Sequence, residues 1–393
     1  MTKLLLNIAH AIDHLMLLIF ATAVSAIAAD FGLARWEDLM PFTAGAFVMF
    51  GLGSFPSGRL GDLWSRRAMM LLFFFGIGAS ALLIATTQGP WQLAAALAVM
   101  GAFASIYHPV GIPMLVQDAA LPGRAIGVNG LAGNLGIAGA AISTGLLVQY
   151  AGWRAAFAVP GIAAIACGLL FMWVVPHETE APARRTTRDT DIPASARQRA
   201  FVVMTLTAIT GSLVFNFTTN GNGELLRSRL PLLFEQPALL GALLAAVYGV
   251  ASLAQLVVGR LIDRFPMRKL MVGILATQPP LFVAAAFADG WVFYSLMVVF
   301  MLFVFAAIPF TDALIVRYVD DGMRSRVTGM RLGVSFGVSS FAVWLLGPLV
   351  KLSGFTTLLL TMAGISVLST LIATWLPVEP GTAGAPAPAP ARA

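Results

Sequence analysis

Apolar runs of about twenty residues, each bounded by charge or by glycine and proline clusters, recur along the whole chain. They begin near residues 4, 39, 68, 91, 124, 154, 200, 238, 269, 291, 326 and 354. Each is long enough to cross a hydrocarbon core about 30 Å thick as a helix rising about 1.5 Å per residue, so the pattern predicts twelve transmembrane helices with short connections. One connection is longer. Residues 177–199 turn polar, with Pro182, Pro193 and five arginines, and predict a cytoplasmic linker between an N-terminal six-helix bundle (1–176) and a C-terminal one (200–377). Beyond Pro377 an alanine-, glycine- and proline-rich stretch has nothing to bury, and residues 378–393 are expected to be disordered. The first run carries His10, Asp13 and His14 inside its apolar stretch and lacks a small-residue cleavage site, so it reads as a retained helix.

The two halves repeat one another. Gly58-Arg59-Leu60-x-Asp62 returns as Gly259-Arg260-Leu261-x-Asp263, and Arg124-x-x-Gly127 returns as Arg326-x-x-Gly329, so two landmarks agree on register within one residue. Composition supports the same class: 59% of residues are hydrophobic and 11% charged, against about 25% charged in soluble domains, and mean hydropathy is +0.86. No sizeable soluble domain fits. The net charge of +6 reports topology here, and no nucleic-acid partner is expected. With the N-terminus inside, every Lys and Arg except Arg35, Arg154, Arg227, Arg229 and Lys351 falls on the cytoplasmic side, which predicts a multi-pass protein of the inner (plasma) membrane with both termini cytoplasmic. The single cysteine, Cys167, excludes an intrachain disulfide and a cysteine metal cluster.

Ionisable side chains within the hydrocarbon are costly, so their placement is informative. Residues 69–87, 155–176, 270–288 and 355–376, the third, sixth, ninth and twelfth runs, contain none. His10, Asp13 and His14 lie three and four residues apart, along one helical face, and His108 beside Tyr107 lies at a similar depth in the fourth run. A carboxylate and imidazoles facing one cavity can share or relay a proton. A structural reading of Asp13, as a fixed acceptor tying helix 1 to a neighbour, stands beside this. So does a metal reading, since three imidazoles and a carboxylate make a transition-metal set. An inverted zinc-protease reading of His10-Ala-Ile-Asp13-His14 lacks its Glu, so no enzyme activity and no cofactor are expected. In the seventh run, Asn216 and Asn220, one turn apart, suit uncharged substrate contacts, whereas Asn222 and Glu224 read as a helix end fraying into polar loop. Asp312, five residues before Arg317, reads as a gate or interfacial charge. Asp62 and Asp263 end helices whose C-termini are already partly negative, so each wants a cation. The candidates are Arg326 and Arg124, with Arg66 and Arg67 in the same cytoplasmic connection as Asp62. Gly133, Gly136 and Gly139, within a glycine every third residue from Gly127, and Gly329, Gly333 and Gly337, every fourth, predict close helix packing.

Gly58-Arg-Leu-Gly-Asp62-Leu-Trp-Ser-Arg66-Arg67 resembles the signature between helices 2 and 3 of the major facilitator superfamily, with Leu63 and Ser65 where that signature has a basic residue and a glycine. Gly259 to Lys269 resembles its copy between helices 8 and 9. The resemblance covers nearly the whole chain. It implies an all-α fold in which helices 1, 4, 7 and 10 line a central cavity while 3, 6, 9 and 12 face lipid, and alternating access in which cytoplasmic charge pairs break as the halves rock. The ionisable first helix with Tyr107-His108-Pro109 resembles the fosmidomycin-resistance efflux branch, which implies proton-coupled export of a small organic compound by a monomer. Gly133 to Gly139 partly resembles the antiporter signature of helix 5, without its proline. No Lys or Arg lies deep in any run, so a phosphonate would lack its usual partner unless a histidine is protonated. The alternative is a proton-coupled importer of a small metabolite, a transition metal or a metal complex.

Overall fold

The apolar runs fold as helices in the order α1 (Thr2–Asp30), α2 (Ala44–Leu63), α3 (Arg66–Ala85), α4 (Pro90–Ala104), a π turn (Tyr107–Gly111), α5 (Ile112–Val116), α6 (Pro122–Ala151), α7 (Trp153–Val174), α8 (Ala194–Arg229), α9 (Pro237–Ile262), α10 (Met267–Ala286), α11 (Gly290–Ala306), α12 (Pro309–Tyr318) and α13 (Asp321–Ala373). This computed structural model describes residues 1–116, 122–177, 194–230, 236–262, 264–318 and 321–377, and of these the side chains at 116, 122–124, 126, 194, 312, 316, 321–326 and 328 lie outside the description. The fourth crossing runs from α4 through the π turn into α5, and the tenth from α11 into α12. Among the described residues eleven apolar helical stretches are long enough to span a membrane, and the last of them, Gly329–Ala373, has 45 residues. At about 1.5 Å per residue that is twice the hydrocarbon thickness. Gly354 folds it in two: its φ of 75° and ψ of 174° belong to glycine alone, and two crossings result, twelve in all. Gly152, at the turn between α6 and α7, also has positive φ, 83°, and precedes Gly354 by 202 residues, the offset of the repeat.

Within the N-terminal half α1 packs on α6, α2 on α4 and α3 on α7; within the C-terminal half α8 and α10 pack on α13 and α9 on α11. Across the halves α6 meets α9, α2 meets α13 and α1 meets α8. Lipid is as apolar as leucine, so such contacts depend on close approach, and small residues supply it. A Cβ on Gly136 would strike the backbone carbonyl of Ala11, and one on Gly145 the carbonyl of Pro237 and the backbone of Gly241. The glycine periodicity is not used uniformly. Gly139 has room for a side chain, with Leu15 Cδ1 3.7 Å from the Cβ position, and Gly127, Gly329 and Gly337 face open space.

The third and sixth spans, α3 and α7, expose Leu72, Leu83, Ile162, Leu169 and Trp173 outward. The ninth departs from the lipid-facing expectation. Val283 and Phe287, at its far end, are exposed, but Met267, Met271 and Leu275 turn inward to line a cavity.

At the end of the molecule where α1 finishes, the halves touch. Ser25 Oγ on α1 donates to Glu224 on α8, Lys351 on α13 pairs with Asp38 before α2, Trp36 stacks on Phe355, and the Ala238 N–H donates to Gln149 Oε1 at 2.9 Å. Glu224 is buried, and α8 stays helical past it to Arg229, so the expected frayed end is instead a helix packed against α1.

Candidate transport cavity

Between the halves lies a cavity of about 1130 Å³, open toward the ends of α9 and α12, where Arg260, Arg264 and Arg317 stand exposed at its mouth. The opposite end is sealed by the contacts just described. Its N-terminal wall presents His10, Asp13, His14, Phe47, Phe50 and His108, and its C-terminal wall Ser212, Phe215, Asn216, Gln255, Ser335 and Ser339.

The N-terminal wall begins with spacing. Residues 10, 13 and 14 sit on one face of α1, and the π turn, which holds Pro109 without an N–H to donate, presents His108 opposite them. His108 Nε2 is 3.6 Å from Asp13 Oδ2. Asp13 is wholly buried, at 0% exposure, and neither of its carboxylate oxygens has a hydrogen-bond partner among the described residues. His10 Nδ1 is 2.8 Å from the carbonyl of Asn129; a carbonyl only accepts, so Nδ1 carries the hydrogen. In the neutral ring, Nε2 then offers its lone pair toward His14 Nε2 at 3.2 Å. The His10 ring stacks on Tyr107 at 4.8 Å and meets His108 edge-on at 4.9 Å. Gly133 makes room for it: a Cβ there would lie 2.6 Å from the ring. Tyr107 is buried and supports the ring from behind, donating to the Leu6 carbonyl at 2.9 Å while Asn129 Nδ2 donates to its hydroxyl at 2.7 Å and to Asn7 Oδ1 at 2.9 Å. All five residues singled out on the first and fourth runs, Tyr107 included, therefore meet in one cluster.

The opposite wall presents amides and hydroxyls together with Arg331. Asn216 Nδ2 donates to Ser339 Oγ at 2.7 Å and to the Ser212 carbonyl at 2.9 Å, which ties α8 to α13. Asn220 lies behind this wall, buried, and donates to the Asn216 carbonyl at 3.1 Å. Cavity residues that went unmarked in the sequence include Asn129, Gln255 and Arg331. Arg331 on α13, counted in the sequence with the cytoplasmic charges, lines the cavity. Its position early in the eleventh run made it look like a membrane-surface charge.

Among the gate candidates, Asp62 Oδ1 accepts from Arg66 Nη2 at 2.9 Å, within the connection between α2 and α3. Arg67 is buried and donates to the carbonyls of Val175 and Met172, each at 2.6 Å, with His177 Nδ1 at 3.2 Å. Those bonds join α3 to the end of α7 and cross no boundary between the halves. Asp263 and the side chains of Arg124, Arg326 and Asp312 lie outside the described residues.

A two-bundle helical fold around one central cavity accords with a match of residues 6–236 and 230–393 to the family described as Major Facilitator Superfamily. The chain belongs to that superfamily. Superfamily members are membrane transporters of small molecules, and the solved structures most like this one include a D-xylose–proton symporter, with a TM-score of 0.78, 14% identity and coverage of 96% of this chain and 97% of the other. A bacterial homologue of the human lysosomal transporter Spinster, inward-facing and occupied, has a TM-score of 0.72 at 14% identity, covering 95% and 93%. Curated relatives include the probable actinorhodin transporter of Streptomyces coelicolor, 28% identical over 185 residues, which are 45% of this chain and 31% of that protein. The puromycin resistance protein pur8 of Streptomyces alboniger is 28% identical over 135 residues, 34% of this chain and 27% of that protein. The tetracenomycin C resistance and export protein of Streptomyces glaucescens is 27% identical over 166 residues, 40% and 29% respectively. The matched stretches thus span about a third or less of the length of these relatives.

Proposed function

We propose that the chain is a proton-coupled exporter of small organic compounds in the plasma membrane, working as a monomer by alternating access, with Asp13 as the coupling carboxylate and His108 as its partner. The observation that carries this is the carboxylate on the cavity wall, without a hydrogen-bond partner among the described residues and 3.6 Å from an imidazole. An ionisable group held inside a membrane is a functional site by default, and imidazole is the side chain that exchanges protons near neutrality. Export is supported by the relatives, named for antibiotic transport or resistance, and by the resemblance of Tyr107-His108-Pro109 to the fosmidomycin-resistance branch. Basic residues gathered at the cavity mouth support a cytoplasmic reading of that side, from which cargo would load. A volume of about 1130 Å³ between phenylalanine walls suits a drug-sized organic molecule.

A ligand-stabilisation screen of the purified protein identifies cargo, because only binders of the native state raise its melting temperature. Asp13→Asn keeps the shape of the side chain but loses titration. In liposomes with an imposed pH gradient, this variant is expected to lose gradient-driven accumulation of that cargo while retaining its binding. A variant that accumulates cargo at the wild-type rate overturns the assignment.

A further inference from the structure

We propose that His10, His14 and His108 form a binding site for a divalent transition-metal ion, with Asp13 placed to complete it. The three imidazoles bring one ligand nitrogen each to within 4.8 Å of one another. His10 and His14 stand one helical turn apart on α1, and their Nε2 atoms are 3.2 Å apart. Two nitrogens bound to one tetrahedral ion at about 2.0–2.1 Å lie about 3.4 Å from each other, so this pair needs little rearrangement. His108 arrives from the π turn, with Asp13 Oδ2 3.6 Å from its Nε2.

A second, independent observation is the support behind the ligands. The Asn129 carbonyl accepts from His10 Nδ1, which leaves Nε2 as the lone-pair nitrogen facing the cluster. Metal-bound histidines are held in this way by a carbonyl or carboxylate on the other ring nitrogen, fixing both tautomer and orientation. Tyr107 stacked on one side of the ring and the missing Cβ of Gly133 narrow its freedom further. Three imidazoles and one carboxylate select zinc, cobalt, nickel or copper(II) over magnesium and calcium, which prefer all-oxygen sites. The cluster lines the cavity, so an ion enters from the open side, and once bound it bridges α1 to the fourth span inside one half of the protein.

The probe is cobalt(II), titrated into untagged full-length protein in detergent. One equivalent is expected to produce the visible absorption of a four-coordinate cobalt site, displaced by zinc and unaffected by millimolar magnesium. His14→Gln and His108→Gln are each expected to weaken cobalt binding at least tenfold. The fourth histidine of the chain, His177, lies at the end of α7, and His177→Gln is expected to leave binding unchanged. Absence of stoichiometric cobalt absorption, or binding that survives both cluster substitutions, overturns the proposal. Should those variants fail to fold, zinc-edge X-ray absorption of the wild type counts imidazole ligands directly: three are expected, and fewer than two overturn it. None of these readouts involves transport, so their failure leaves the exporter reading standing, and a failed transport assay leaves the metal site standing.

Discussion

His10 is held from four directions, by the Asn129 carbonyl, the Tyr107 ring, the other imidazoles and the empty place at Gly133. The neighbouring glycines of α6 make this testable residue by residue. Gly136→Ala drives a methyl group into the backbone of Ala11, which can yield only by separating α1 from α6, and overpacking of this kind costs about 1–3 kcal/mol. Gly139→Ala meets nothing closer than Leu15 at 3.7 Å, and its effect is expected to stay within about 0.5 kcal/mol. Melting temperatures of the two variants should differ accordingly; equal melting would mean that the close contact carries no stability. The ionisable cluster was legible in the sequence because a charge within an apolar run has few structural uses. Asn129, Gln255 and Arg331 were not, because an amide in a helix or an arginine near its end fits many roles. The glycine stripe predicted close packing, but which of its members touch a neighbour depends on the rotation of α6, which periodicity does not determine.

Among the elements, α13 and α8 show what run lengths reveal and conceal. The eleventh and twelfth runs were legible as two, and the break falls at the expected start of the twelfth, residue 354, because only glycine adopts the backbone found there. Gly354→Ala is expected to cost about 1–3 kcal/mol in stability, read as a lowered melting temperature. An unchanged melting temperature would show that the turn relaxes at no cost. On α8, Asn222 and Glu224 suggested a fraying end, and Asn216 and Asn220 substrate contacts. Read instead as a stripe, Asn216, Asn220 and Glu224 recur every four residues along one face, and that face packs into the protein. The π turn left no such mark: Pro109 signals a disturbed helix, but not that His108 is turned onto the cavity by it.

For the whole molecule, the predicted topology places the start of α8 inside the cell and its end outside. A cysteine replacing Ser195 should react with an impermeant thiol reagent only from the cytoplasmic side, and one replacing Ser228 only from the exterior, once Cys167 has been removed. Reaction of both from one side would refute the crossing pattern. The sealed end carries a second prediction. Ser25 with Glu224 and Asp38 with Lys351 join opposite halves, so removing the bonds by Glu224→Ala and Lys351→Ala should favour the state open to the exterior. A cysteine at Leu17, on the cavity wall, would then be labelled faster from outside than in the parent protein. An unchanged rate would show that the seal rests on apolar packing alone.

The cavity's two walls belong to different halves of the chain, one holding imidazoles and a carboxylate, the other amides, hydroxyls, Phe215 and Arg331. If the first couples energy and the second meets cargo, the two tasks are inherited separately. A mutant library confined to Ser212, Phe215, Asn216 and Ser339 could then alter what is carried while the driving force stays the same.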